Sequence, residues 1–554
     1  MKKVSLPIGS ADFRDIRASG DYYVDKTDSI RELMSDSSRA ILFTRPRRFG
    51  KTTFITMLRY FFDIRERTEG LFKDLSVSKD MEACKSWMNK IPVLYLTLKD
   101  IDGNDFFSAF SMLQDLFLDL FQSYSYLLED DMPNGNRMLF KRILDKESTE
   151  NDIREALKVL AKLLYSHYEK EIIVLIDEYD VPLDKAERNG YYDDMLSLLR
   201  TIFSSLLKDN PHVKKSILTG CLRISKESLF TGLNNLSVYS ITSDAYTTSF
   251  GFTEDEVDNL LEATGFISKK DSIRKWYDGY KIGSSMIYAP WDVLSYIKDL
   301  QNNSEALPNN YWANTSSNDV IRKLIDRTNA SISNDYSSLI NGENISKQIT
   351  ENLAYNDLYT EENNIWSLML ETGYLTLSDR FQPNGETLIR IPNEEIRQLF
   401  ISTVNKWFSD SIKEENLSPL FSAIWTRNQR QIEKSINRYL ARSISYYDYS
   451  ESFYHAFLVG LFSARGFAVK SNLESGLGRP DIVLLDNKNS RAAIFEIKQA
   501  RKEDEIESKK SEALSQIKEK DYKKSFEEYD TILQYSIIFH RKKAFVTSIE
   551  ETAF

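Results

Sequence analysis

The sequence predicts a multidomain α/β chain with a parallel-sheet domain first, a helical region next and a smaller α/β domain last. Three observations predict it. Short apolar runs alternate with amphipathic stretches up to residue 250. Helical patterns dominate the middle, and a strand–turn–strand followed by a charged helix comes near the end. At 554 residues the chain is too long for one core, and a size of about 150 residues per domain suggests three or four units. The pattern divides it at 1–250, 251–340, 341–440 and 441–554.

In the first division Arg39–Thr44, Val93–Leu98, Ile172–Ile176 and Ser216–Leu218 read as buried strands. Phe106–Tyr124 and Ile153–Tyr168 read as the helices between them. Such alternation implies crossover units and a parallel sheet. The second division reads as a helical lid and connector, with helices around Phe252–Leu261 and Pro290–Leu300, a loop at Asp278-Gly279-Tyr280 and an Asn/Ser-rich stretch after them. In the third, a helix at Ile365–Glu371 precedes strands Tyr374–Ser378 and Thr387–Ile391, joined through Gln382-Pro383-Asn384-Gly385. Asn-Gly marks a hairpin turn. Helix followed by hairpin suits a winged helix and suits a plain helical region with a decorative hairpin equally well. The last division offers a helix at Glu451–Phe462, a hairpin over Asp481–Lys498 and a charged helix over Asp504–Lys524.

Apolar residues at 42% and charged residues at 28% are ordinary for a soluble globular protein. No run of 18 apolar residues is present, so no membrane span is expected. Met1-Lys2-Lys3 leads into Val4-Ser5-Leu6-Pro7 and not into a long apolar stretch, which argues against a signal peptide. Two cysteines, Cys84 and Cys221, exclude a disulfide framework and suit a reducing cytoplasm. Four histidines and no Cys-x-x-Cys speak against structural zinc. The net charge of -11 opposes DNA binding by bulk electrostatics but leaves local basic grooves open.

Arg45-Pro46-Arg47-Arg48-Phe49-Gly50-Lys51-Thr52 follows a strand and opens a helix at Thr53. That is the setting of a phosphate-binding loop, where backbone N–H groups cradle phosphate, lysine reaches the β/γ-phosphates and a hydroxyl binds Mg²⁺. Arg45 stands where the full pattern has its first glycine, which weakens the motif taken alone. Downstream, the apolar run Ile172–Ile176 ends in Asp177-Glu178. Two carboxylates at the end of a buried strand suit a nucleotide hydrolase: Asp177 with Thr52 for the Mg²⁺ shell, Glu178 to polarise the attacking water. Thr219 ends the next strand, as a γ-phosphate sensor or a plain strand-end hydroxyl, and Arg223 reads as a surface arginine in preference to a phosphate contact.

These segments resemble the bacterial AAA-ATPase-like proteins that carry a C-terminal PD-(D/E)XK nuclease domain. The resemblance covers nearly the whole chain. It also rests on Tyr23-Val24-Asp25-Lys26-Thr27, Leu175-Ile176-Asp177-Glu178-Tyr179-Asp180, Phe230-Thr231-Gly232-Leu233-Asn234-Asn235-Leu236, Trp276-Tyr277-Asp278-Gly279-Tyr280 and Tyr311-Trp312-Ala313-Asn314-Thr315-Ser316. It implies that Tyr23, Asp25 and Lys26 lie close to the nucleotide. It also implies that arginine at position 45 is the family's habit.

Near the end, Arg479-Pro480-Asp481 precedes a strand, and the return strand leads into Glu496-Ile497-Lys498. A two-residue turn centred between Lys488 and Asn489 would place Asp481 opposite Glu496 on one face, and Lys498, two residues on, shares it. Phe495 and Ile497 then point into a core. Two carboxylates and an ammonium on one face suit Mg²⁺ or Mn²⁺ and a scissile phosphate. An exposed hairpin with a Glu–Lys pair is the plainer alternative. Glu451 resembles the family's additional acidic metal residue and equally suits a helix N-terminus. His455 shares its helix face. By resemblance Gln516 and Tyr522 point toward the site, with Gln516 orienting water or contacting a phosphate. Gly476, Gly478 and Arg479 form a basic lead-in or a simple loop. Lys509, Lys510, Lys518, Lys520, Lys523 and Lys524 alternate with acids and mark no obvious groove.

The expected activity is a cytoplasmic, ATP-hydrolysing, Mg²⁺-dependent nuclease acting on DNA in preference to RNA, with ATP gating the nuclease site, no membrane partner and a homo-oligomer left open. Two further readings stand beside it. One is an ATP-dependent switch that uses the nuclease fold as a nucleic-acid grip, and the other is a DNA-remodelling protein using a winged helix.

Overall fold

The computed structural model describes residues 4–223, 229–230, 235–312, 321, 335–336, 338–351, 353, 362–382, 384–412, 417–443, 451–463, 467–471, 480–541 and 543–549. Gly476, Gly478 and Arg479 lie outside the described residues, as do Thr231–Asn234 and Ala313–Ser316. The chain packs as two units, one of residues 1–312 with 346–395, the other of 313–345 with 396–554.

The first unit is built on five strands: β1 (Ala40–Thr44), β2 (Val93–Thr97), β3 (Ile172–Asp177), β4 (Val213–Gly220) and β5 (Leu236–Tyr239). Every residue of β1 and β3 is buried, as a strand covered on both faces requires. The order is β2-β3-β4-β1-β5 and all pairs are parallel. β4 thus lies between β1 and β3, so the carboxyl ends of three strands distant in sequence meet. β5 escaped the sequence reading because it is short and only Leu236 in it is buried. The Lys51–Phe62 helix buries Phe54, Ile55, Leu58, Phe61 and Phe62 and packs on β2, β3 and β4.

Beyond the sheet, Thr253 and Glu256 cap the Glu254–Thr264 helix reciprocally. Pro290 starts the Pro290–Asn302 helix, where its missing N–H costs nothing. With the Lys270–Tyr277 helix these bury Leu260, Tyr277, Val293 and Ile297 in one cluster. A small hairpin, β6 (Tyr280–Ile282) with β7 (Ser285–Ile287), lies between them in sequence. In residues 341–440, β8 (Ile345–Gln348) joins β10 (Glu386–Arg390), which pairs antiparallel with β9 (Thr376–Leu377). The helix before the β9–β10 hairpin spans Glu362–Glu371. β8 has no counterpart among the strands expected from the sequence.

The second unit holds a mixed sheet, β11 (Ala468–Ser471), β12 (Ile482–Asp486), β13 (Arg491–Gln499), β14 (Thr531–His540) and β15 (Lys543–Ser548), in sequence order. Only β13 and β14 are parallel, and the crossover between them carries the Ile506–Glu519 helix. Its Ile517 joins Val483, Ile494 and Phe526 in one apolar cluster. Phe495 packs against Phe462 and Tyr535 at ring distances of 4.8 and 5.2 Å. Among the described residues no helix is long and apolar enough to cross a membrane.

Candidate active sites

The β1-to-helix loop is shaped by two left-handed residues, Arg48 (φ 70°) and Gly50 (φ 83°). Alternating handedness turns successive N–H groups to one side and forms an anion-binding nest at the helix N-terminus. Lys51 follows and is buried. Its Nζ donates to the carbonyls of Arg45 (3.2 Å) and Pro46 (3.3 Å), and lies 3.2 Å from Cys221 Sγ and 3.6 Å from Glu178 Oε1. Burial alone would lower its pKa, but Cys221, Glu178 and Asp180 around it outweigh that and hold it up.

The three strand ends supply the rest. Asp177, at the end of β3, is buried and accepts from Thr52 Oγ1 (2.8 Å) on one oxygen and from Thr219 Oγ1 (2.6 Å) on the other. Burial raises its pKa. Thr52 and Asp177 fit a hard divalent cation beside a phosphate, since hydroxyl and carboxylate oxygens are its preferred donors. Glu178 adopts a left-handed φ of 54° that turns it out of the strand toward Lys51.

A cavity of about 290 Å³ opens beside the loop, lined among others by Tyr23, Lys26, Arg48, Thr53, Phe252 and Trp291. Its largely aromatic and aliphatic wall suits a nucleobase next to the phosphate cradle. Tyr23 and Lys26 are part of this cavity wall. Lys26 is held by Glu256 (2.7 Å) and the Thr248 carbonyl (2.8 Å).

Some expected residues contribute differently. The Arg45 guanidinium is buried and donates to the carbonyls of Thr44, Tyr239 and Tyr246, so Arg45 reaches the site only through its backbone. Asp25 accepts from Thr27 N–H and hydroxyl and from Ser76 N–H, which makes it a brace of the N-terminal segment. Arg47 extends to within 3.9 Å of Asp184. Phe49 is buried edge-on against Tyr280, and its carbonyl accepts from Gly251 N–H at 3.0 Å. Arg223 pairs with Glu351 at 3.1 Å.

Several contacts around the site could not be read from spacing. Asp180 is buried, its pKa pushed up to about 6 by burial, and it accepts from the amides of Cys221 (2.8 Å) and Leu222 (2.9 Å), fixing the turn after β4. Gly220 precedes that turn because a Cβ there would lie 2.4 Å from the Tyr179 ring. Arg48 donates to the Tyr311 carbonyl (2.8 Å), approaches Asp292 (3.5 Å) and lies over the rings of Trp291 and Trp312. Glu395 in turn accepts from the amides of Tyr311 (2.5 Å) and Trp312 (2.8 Å).

In the second unit, Ile482 pairs with Phe495 and Asp486 with Arg491. Continued by one residue, that register sets Asp481 opposite Glu496. The loop is longer than the two residues expected: a 3₁₀ turn over Asn487–Asn489 and a left-handed Ser490 (φ 49°) close the hairpin, centred at the same point and so in the same register. Asp481 Oδ2 accepts from Ile497 N–H (2.7 Å), and the Asp481 carbonyl meets His455 Nε2 at 2.9 Å. Glu451 accepts from Gln499 N–H at 3.2 Å. Gln516 donates to the Tyr522 hydroxyl at 3.2 Å.

Glu496 is fully buried, and neither of its oxygens has a hydrogen-bond partner. Lys498 Nζ lies 3.3 Å from one of them. Burial, with Asp481 adding to it, pushes the Glu496 pKa up to about 7. Burial likewise raises that of Asp481. Among the described residues no three carboxylate, imidazole or thiol groups close into a ready-made metal cage. The donor chemistry nevertheless fits a hard divalent cation, because a buried carboxylate beside Lys498 faces a second carboxylate across the hairpin.

Residues 7–230 match the family model described as "Predicted AAA-ATPase", and residues 449–549 match that of the PD-(D/E)XK nuclease superfamily. A relative from Azotobacter chroococcum mcd 1, named as an uncharacterized protein in the vnfD 5' region, is 28% identical over 403 residues, which is 72% of this chain and 69% of the relative. The chain thus joins an AAA-ATPase-like domain over residues 7–230 to a PD-(D/E)XK nuclease superfamily domain over residues 449–549.

Proposed function

We propose that this protein hydrolyses ATP at the β1–β3–β4 strand ends and cleaves DNA phosphodiesters at the β12–β13 hairpin, with the nucleotide state gating cleavage. The observation that carries the nuclease half is Glu496: a buried, unsatisfied carboxylate opposite Asp481 and beside Lys498. A carboxylate is kept there at a cost that a bound cation would offset.

At the first site Lys51 and the loop amides hold the β- and γ-phosphates. Glu178 accepts a proton from the attacking water, and Thr219 keeps Asp177 oriented. Mg²⁺ held by Thr52 and Asp177 would supply charge neutralisation. At the second site Asp481 and Glu496, with Glu451 behind them, would hold Mg²⁺ or Mn²⁺, which supplies Lewis acidity toward water and phosphate. Lys498 places its ammonium where negative charge develops on the phosphate. Gln516, buttressed by Tyr522, orients water or a phosphate oxygen.

The test is cleavage of linear and circular DNA with Mg²⁺ or Mn²⁺ by wild type, Asp481→Ala and Glu496→Ala, beside ATP turnover by Lys51→Ala. Wild type is expected to cut and both carboxylate variants to lose cutting by about a hundredfold or more. Equal digestion by all three removes the assignment, and undiminished turnover by Lys51→Ala removes the ATPase half. The engagement of Asp481 and Glu451 by backbone amides favours a second reading, a domain that grips nucleic acid without cutting it. DNA retained in gel shifts but never cleaved by wild type would select that reading.

A further inference from the structure

A second cavity, of about 200 Å³, is walled by β2, the Lys51–Phe62 helix and the Phe106–Gln122 helix. It lies on the sheet face that carries Asp177. The β2–β3 register pairs Thr97 with Asp177, and paired residues of parallel strands present their side chains on the same face. Tyr95, two residues before Thr97, shares that face. The Asp177 carboxylate meets Thr52 of the same helix that supplies Arg59 to the cavity.

Polar groups on this wall are unsatisfied within the protein. The Thr97 hydroxyl is buried with no hydrogen-bond partner, and so is Nε of Arg59. Among the described residues Arg59 makes no ion pair. Its guanidinium lies 5.2 Å from the Tyr60 ring centroid and 4.9 Å from that of Tyr95, which fixes its plane without neutralising it. Burial, with Asp177 adding to it, raises the Tyr95 pKa, so its hydroxyl stays a neutral donor. The other guanidinium, Arg65, is already held by Asp63 (2.7 Å) and the Tyr124 hydroxyl (3.1 Å). Asp119, the carboxylate on the wall, is exposed to solvent.

An Nε–H shielded from water without an acceptor is unfavourable, and so is an orphaned buried hydroxyl. One kind of ligand relieves both: a small anion carrying several acceptor oxygens. We propose that this cavity is a second anion site that takes a phosphate-class oxyanion. Arg59 supplies the charge and the forked donors, and Thr97 and Tyr95 supply neutral donors. The site is distinct from the β1-to-helix loop. It rests on the cavity and its unsatisfied groups, and holds whether or not ATP is hydrolysed next door. A free phosphate ion and the phosphoryl group of a small metabolite share this chemistry.

The experiment is calorimetric titration of full-length Lys51→Ala protein, whose nucleotide loop no longer competes, with inorganic phosphate and separately with glycerol phosphate at fixed ionic strength. Saturable binding is expected, weakened about tenfold or more by adding Arg59→Gln and several-fold by adding Thr97→Val. Tighter binding of the inorganic ion assigns a free anion, and tighter binding of the ester assigns a small metabolite. Thr97→Val is nearly isosteric, so melting without ligand is expected to match the Lys51→Ala parent while phosphate no longer raises its melting temperature. No saturable binding to Lys51→Ala protein, or affinities unmoved by Arg59→Gln and Thr97→Val, overturns the proposal.

Discussion

Glu496 is the residue whose position is hardest to explain by packing. It is buried beside Phe495 and Ile497 on a strand that has no need of a charge there. Its raised pKa has a definite sign. The carboxyl is favoured protonated in the fold, so its contribution to stability is present below about pH 4.5 and is lost as pH rises through about 7. Glu496→Gln stays neutral and is therefore expected to melt higher than wild type at pH 8 by on the order of 1–3 kcal/mol, with little difference at pH 5, in the presence of a chelator. Adding Mg²⁺ should shrink the gap at pH 8, because the carboxylate gains a cation and the amide does not. Melting curves with the same separation at both pH values would refute the raised pKa. At the other site Glu178→Gln is expected to keep nucleotide binding while steady-state turnover falls about a hundredfold or more, as loss of a general base does. A matching rise in the ATP dissociation constant would instead mean that Glu178 positions Lys51.

At the scale of elements, the Tyr311–Trp312 segment is tied on one side to the phosphate loop through Arg48 and on the other to the start of the Glu394–Ile412 helix through Glu395. Burial raises the pKa of both Asp292 and Glu395, so the pair retains a proton near neutrality and Arg48 balances the remaining charge. Glu395→Gln, which keeps an acceptor for both amides, is expected to cost less than about 1 kcal/mol. Glu395→Ala strands two amides and is expected to cost about 2–4 kcal/mol. Urea denaturation of the two variants checks this, and equal losses would show that the amide contacts are not what stabilises the segment. The hairpin is the contrasting element, because its logic is local. The Asn487–Asn489 turn alone fixes which residue faces Asp481, so the β12–β13 register was legible from the sequence. Arg45 was not. Two of its three acceptors are 194 and 201 residues away, and no spacing rule reaches that far.

At the scale of the whole molecule, each of the two units carries one of the candidate active sites, the nucleotide loop in residues 1–312 with 346–395 and the hairpin in 313–345 with 396–554. Separate cores should unfold separately. Two denaturation transitions are therefore expected, with ATP and Mg²⁺ moving only one of them, by about 2.7 kcal/mol at a hundredfold excess over Kd. A single transition shifted as a whole by nucleotide would mean that the units unfold together. The net charge of -11 adds a further constraint, since any DNA contact has to come from local groups such as Lys498 and not from an overall attractive field.

The sequence by itself determined the central strands of the first sheet, the β12–β13 hairpin and the chemistry that sits on consecutive or closely spaced residues. These are the Gly50-Lys51-Thr52 turn between a buried strand and an apolar helix, the Asp177-Glu178 pair ending β3, and the Asp481, Glu496 and Lys498 face of a hairpin. Hydrophobic period and turn chemistry are local properties, so they can be read along the chain. Only the tertiary structure decided that β4 lies between β1 and β3 and so carries Thr219 to Asp177. It also decided that Cys221 and Asp180 surround Lys51, that Glu395 reaches the segment Arg48 holds, and that Arg59 and Thr97 face one cavity unsatisfied. Those relations join residues tens to hundreds of positions apart. They follow from strand order and burial, which arise only when the whole chain has packed.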